Sequence, residues 1–119
     1  MDDNRVWSFE ESLWRATDER YHDRVDEACV MALSRKPYVF AGAAAIEAVS
    51  HTPEWDSVEF SDQHVSRPEE GLIVVAYRVQ TRKGDTDFHA ACTSTYRRRA
   101  HDDWAVVQHA QVALDDSQG

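Results

Sequence analysis

Apolar residues recur at helical intervals near the start of the chain and at strand intervals over most of the rest. From Asn4 to about Val25, Trp7, Trp14, Tyr21 and Val25 fall at steps of seven and four, joined by Phe9, Leu13 and Thr17. That stripe predicts an amphipathic helix, opened by Asp3 or Asn4, with Glu10, Glu11, Arg15, Glu19 and Arg20 left for solvent. The run from Cys29 to Leu33 predicts a first strand after Asp26-Glu27. Pro37 breaks the pattern beyond it, and Tyr38-Val39-Phe40 leads to Gly42. Ala43 to Val49, rich in good helix formers and closed by Ser50 and Pro53, predicts a short helix.

Trp55 to Val65 alternates as a strand does, with Asp56, Val58, Phe60, Asp62 and His64 on one face. Arg67 to Gly71 has turn composition. Leu72 to Arg82 is apolar on both faces over its first half, as in a central strand, and Lys83-Gly84-Asp85 predicts a tight hairpin. Asp87 to Arg98 and Trp104 to Val112 complete the series, joined by a charged loop around His101. Helix, strand, short helix and then a four-stranded meander predict an α+β domain, a curved antiparallel sheet wrapped around N-terminal helices. A chain of 119 residues has room for one core, which places a single domain at residues 1–112 and a polar tail at 113–119.

The net charge of −9 opposes phosphate backbones and anionic lipid, so neither nucleic acid nor membrane is expected as a partner. The basic run Arg97-Arg98-Arg99 is followed at once by His101-Asp102-Asp103 and reads as a solvated hairpin end. The chain opens Met1-Asp2-Asp3-Asn4, without the basic-then-apolar order of a signal peptide, and its longest apolar stretch, Leu72 to Tyr77, is too short to cross a bilayer. Cys29 and Cys92 have no paired spacing and predict reduced, buried thiols in a cytoplasmic protein. The six histidines show no metal-ligand spacing, and the four glycines form no phosphate-cradling loop, so no metal and no cofactor are expected.

Three pieces of the chain carry a family resemblance. They are the aromatic-striped first helix, Phe40-Ala41-Gly42 with Ile46 four residues on, and Thr95-Tyr96-Arg97-Arg98 with a later Trp104-Ala105-Val106-Val107-Gln108-His109-Ala110-Gln111. In this order they resemble the nuclear transport factor 2-like superfamily, and within it the SnoaL-like branch of small cone-shaped domains. The resemblance implies the cone fold and a two-fold dimer through the outer sheet face. It does not imply one activity, because its members include isomerases, dehydratases, epoxide hydrolases, polyketide cyclases and non-catalytic binding or association modules.

Turn positions suggest hairpin registers. The Gly84 turn would pair Tyr77 with Cys92, Val75 with Ser94 and Ile73 with Tyr96. A loop at Arg99 would pair Tyr96 with Trp104, Ser94 with Val106 and Cys92 with Gln108. The candidate pocket lining is then Trp14, Tyr21, Tyr38, Tyr77, Cys92, Ser94 and Gln108, an apolar wall with a few polar tips. The outer face would hold Val74, Ala76, Arg78, Ala91, Thr93, Thr95, Val107, His109 and Gln111, a mixture suited to an isologous homodimer. Catalytic candidates are Tyr21, Asp62 and His64. A ketosteroid-type base is missing where the first strand ends, at Ala32-Leu33-Ser34-Arg35, and His109 falls on the outer face. The expected function is therefore binding of a small apolar or aromatic molecule. The alternatives are acid/base catalysis on a hydrophobic carbonyl compound and a purely structural association domain.

Overall fold

The computed structural model describes residues 1–15 and 21–114, with the side chains of Tyr21 and His22 outside the described set. The first helix, α1, spans Asp3–Arg15. Asp2 caps it, its Oδ1 accepting the Arg5 amide at 2.9 Å and so satisfying one of the unpaired donors of the first turn. A short α2 covers Tyr21–Arg24, and Val25, where the expected helix was to end, instead begins a strand; Thr17, Glu19 and Arg20 of the predicted stripe lie outside the described residues. β1 spans Val25–Ala32, starting four residues earlier than the apolar run suggested, and β2 is the three-residue strand Val39–Ala41. Gly42, at φ 59°, turns the chain into α3, Ala43–Ser50, in a backbone region that a side chain adopts at a cost.

The four-stranded meander is present as β3 (Ser57–Glu69), β4 (Leu72–Lys83), β5 (Thr86–Ala100) and β6 (Asp103–Ala113). β3 continues through the segment expected to be a turn and includes Pro68. An edge strand tolerates proline because its outward amide has no ladder bond to lose. The six strands run β2-β1-β6-β5-β4-β3, and the sheet is mixed, since β1 lies parallel to β6.

The β4–β5 register pairs Tyr77 with Cys92, Val75 with Ser94 and Ile73 with Tyr96, as the Gly84 turn suggested. The β5–β6 register differs from expectation. The turn at His101-Asp102 is tight, with Asp102 at φ 58°, and pairs Tyr96 with Val106 instead of Trp104. Between Thr95–Gln108 and Tyr96–Val106, β6 then holds one extra residue, Val107, a β-bulge. Past the bulge Ser94 pairs with His109 and Cys92 with Gln111, so His109 and Gln111 are on the inner face and Gln108 is on the outer one.

α1 lies against the inner face. Trp7 packs on Phe60 and Tyr77, Phe9 on Tyr96 and Trp14 on Phe88, with ring centroids 5.0–6.2 Å apart. Val6, Val25, Cys29, Ala45, Val75, Val79 and Val106 are also part of the core. The three arginines of the basic run each meet an acid, Arg97 with Asp26, Arg98 with Glu70 and Arg99 with Asp103, all at 3.0 Å. No helix among the described residues is long and apolar enough to cross a membrane.

Candidate functional site

Glu10, expected on the solvent side of α1, is fully buried against the sheet. Its Oε1 accepts the Tyr96 hydroxyl, and its Oε2 accepts the Tyr77 hydroxyl and, at 2.7 Å, the Ser94 hydroxyl. Trp14 Nε1 donates to the Tyr77 oxygen at 2.9 Å. A buried carboxyl group costs several kcal/mol unless it is hydrogen-bonded, and here three hydroxyls supply that compensation. Burial, and then the Glu10 charge, hold the Tyr77 and Tyr96 phenols well above their ordinary range. The same two causes push the Cys92 thiol up to about 12.

His109 extends this network toward solvent. Its Nδ1 lies 2.7 Å from Ser94 Oγ and its Nε2 lies 3.1 Å from Gln111 Nε2. Donor counting assigns the protons. Ser94 has one, which goes to Glu10, so His109 Nδ1–H donates to Ser94 Oγ. Burial holds the imidazole below its ordinary basicity, an effect partly offset by Glu10, so the ring is neutral near pH 7. Nε2 is then the bare nitrogen and accepts from the Gln111 amide. The relay runs Gln111, His109, Ser94, Glu10.

His109 and Gln111 line an open cleft of about 250 Å³ where the end of α1, the end of β1, the C-terminal turn of α3 and the 51–55 loop meet β5 and β6. Trp14, Met31, Leu33, Val49, Trp55 and Phe88 form its apolar wall. Arg35 and His51 also line it.

Of the residues predicted to line a pocket, Trp14 lies on this cleft. Tyr77, Cys92 and Ser94 are on the same inner face but buried behind it, and Ser94 and Tyr77 serve the carboxylate. Gln108 does not line it, because the Val107 bulge turns it outward, where it bonds Thr93 and Thr95 at 3.1 and 3.0 Å. Tyr38 is half exposed in the turn before β2 and does not line the cleft. The Tyr21 side chain lies outside the described residues. Asp62 and His64 do bond at 2.9 Å, but both are exposed on edge strand β3, with His64 paired to outer-face Ala76; this arrangement removes them as a pocket pair.

No protein-family model matches the chain, and no curated protein matches it. Solved structures do. A ketosteroid isomerase-like protein of Parabacteroides distasonis superposes with a TM-score of 0.79 at 16% identity, covering 94% of this chain and 87% of that one. A nuclear transport factor 2-like protein of Rhodospirillum rubrum, described as of unknown function in nutrient uptake, gives 0.74 at 16% identity over 96% and 100%. Another of unknown function from Pseudomonas putida gives 0.73 at 16% identity over 96% and 87%. The chain has the nuclear transport factor 2-like fold. Within that fold, the inner sheet face carries the Glu10 network and the cleft opens beside it.

Proposed function

We propose that this domain is a SnoaL-like binding protein that takes a small, mostly apolar or aromatic molecule into the cleft floored by His109 and Gln111. The observation that carries the reading is an open concavity of about 250 Å³ with an aromatic and aliphatic wall and a few convergent polar groups. Its size, just below the roughly 300–1,000 Å³ of drug-sized sites, suits a compound of about one or two rings. Calorimetric titration with naphthalene-type probes tests it. One saturable site is expected, weakened at least about tenfold by Leu33→Trp, which fills the cleft. Absence of saturable binding at millimolar probe would remove the reading.

The bare His109 Nε2 favours a second reading, acid/base catalysis on a hydrophobic carbonyl compound. A substrate C–H that displaces the Gln111 amide meets an unprotonated imidazole nitrogen. The positive charge that forms on the ring when it takes the proton is offset through Ser94 by Glu10. Deuterium uptake at the acidic methylene of 2-tetralone would then be accelerated and lost in His109→Gln. An unchanged exchange rate leaves binding alone.

A second copy of the chain is the partner we propose for the outer sheet face. Val39, Ala32, Ala110, Thr93 and Ala76 are successive cross-strand partners there, and Val39 and Val112 are 72% and 64% exposed. A small-residue, apolar row of this kind suits self-complementary two-fold packing.

A further inference from the structure

The cleft differs in charge from the molecule as a whole. The chain carries 22 acidic residues, yet none of the described ones lines the cleft, while Arg35, His51 and His109 do. Glu47 and Glu54 are close in sequence to lining residues and are not among them. Arg35 is held at this rim by two contacts. Its Nη2 donates to the Ala48 carbonyl of α3 at 3.1 Å, and its guanidinium carbon lies 5.4 Å from the centroid of the Phe40 ring. A guanidinium has five N–H donors, so this anchor leaves most of them for a ligand.

Trp55 adds an independent observation. It lines the cleft, stacked on Phe88 at 6.4 Å and 15°, and its indole Nε1–H is buried with no acceptor among the described residues. Buried donors are almost always paired, and one left unpaired costs about 1–3 kcal/mol, so this N–H gains a bond if the Trp55 ring, which lines the cleft, turns to bring its shielded nitrogen to a ligand oxygen.

We infer that the molecule bound in the cleft is a small aromatic carboxylate, its ring against the Trp55–Phe88 wall, its negative charge favoured by Arg35 and an oxygen accepting from Trp55 Nε1–H. This rests on the binding reading above and narrows it to a chemical class. A neutral ligand of the same shape would satisfy the apolar wall and the indole but gain nothing from the charge of Arg35.

Calorimetry at neutral pH with 2-naphthoate and its neutral isostere 2-naphthamide separates the two levels. The carboxylate is expected to bind about tenfold more tightly than the amide. In Arg35→Met that preference should collapse toward one, and a circular dichroism spectrum and thermal midpoint matching the parent show that the variant is folded. In Trp55→Phe both probes should weaken several-fold. Added salt should weaken only the carboxylate. Amide binding equal to or tighter than carboxylate, or a preference that survives Arg35→Met, overturns the anionic class and leaves the binding reading standing. If neither probe binds, both fail.

Discussion

Ser94 and His109 face each other directly across the β5–β6 ladder, 2.7 Å apart from Oγ to Nδ1, because β6 holds one residue more than β5 beyond Tyr96. A straight ladder continued from the Tyr96–Val106 pair would bring Gln108 and Ala110 inward and leave the carboxylate of Glu10 without its link to the cleft.

The Glu10 network is expected to dominate stability. Glu10→Ala strands the Tyr77, Tyr96 and Ser94 hydroxyls and should cost about 3 kcal/mol or more, at roughly 1–3 kcal/mol per unsatisfied buried group. Glu10→Gln keeps the volume and one acceptor oxygen and should fall between that variant and the parent. Urea denaturation measures both, and a neutral Glu10→Ala would contradict the buried carboxylate.

Acid should destabilise the fold through His109. Burial lowers its folded basicity below 6.5, so below that pH the unfolded chain takes up a proton that the folded chain refuses. The stability is complete above about pH 6.5 and is lost as pH falls through the folded value. Asp26 behaves alike at lower pH. The Ala28 amide and Arg97 hold its carboxyl below 3.8, so its contribution is lost only as pH falls under that value. Thermal midpoints measured against pH should begin to fall below about pH 6.5, and His109→Gln should flatten that fall.

Both thiols should be chemically silent in the folded protein. Burial first, with Asp26 or Glu10 adding to it, pushes Cys29 and Cys92 up to about 12, leaving roughly one thiolate in 100,000 at pH 7. A disulfide reagent should label neither cysteine until urea unfolds the chain. Fast labelling of native protein would show that the core opens locally.

Val112→Lys should convert a dimer to a monomer if the outer face is its interface, because a charge would then sit in an apolar self-contact. Light scattering at tens of micromolar reads the state directly. A monomeric parent at that concentration removes the dimer.

How much of the fold and the site is legible in the chain depends on local chemistry. The β4–β5 register is readable because Gly84, at φ 59°, marks a single tight turn and no bulge interrupts the strands beyond it. The β5–β6 register is not, because nothing in Val106-Val107-Gln108 marks an extra residue, and a loop centred on Arg99 shifts every partner beyond it. Glu10 does carry a signal. It stands three residues after Trp7 and four before Trp14, on the face those tryptophans share, but an acid in a helix is ordinarily assigned to solvent. The cleft residues Leu33 and Arg35, Trp55, and Gln111 come from three separate segments of the chain, and only the folded protein brings them together.

The Asp62–His64 pair on β3 has a consequence away from any chemistry. The sheet is open at both edges, and an open edge invites other sheets to add to it. On one side β2 has only three residues to offer. On the other, β3 changes register at Ser61–His64 and again at Ser66–Glu69, sets Asp62 at φ 50°, and includes Pro68 among exposed Gln63, His64, Ser66, Arg67 and Glu69. These are the features that keep natural sheets from aggregating edge to edge. Two side chains that look like an acid–base pair in the sequence belong, in the folded chain, to the guard on an exposed border.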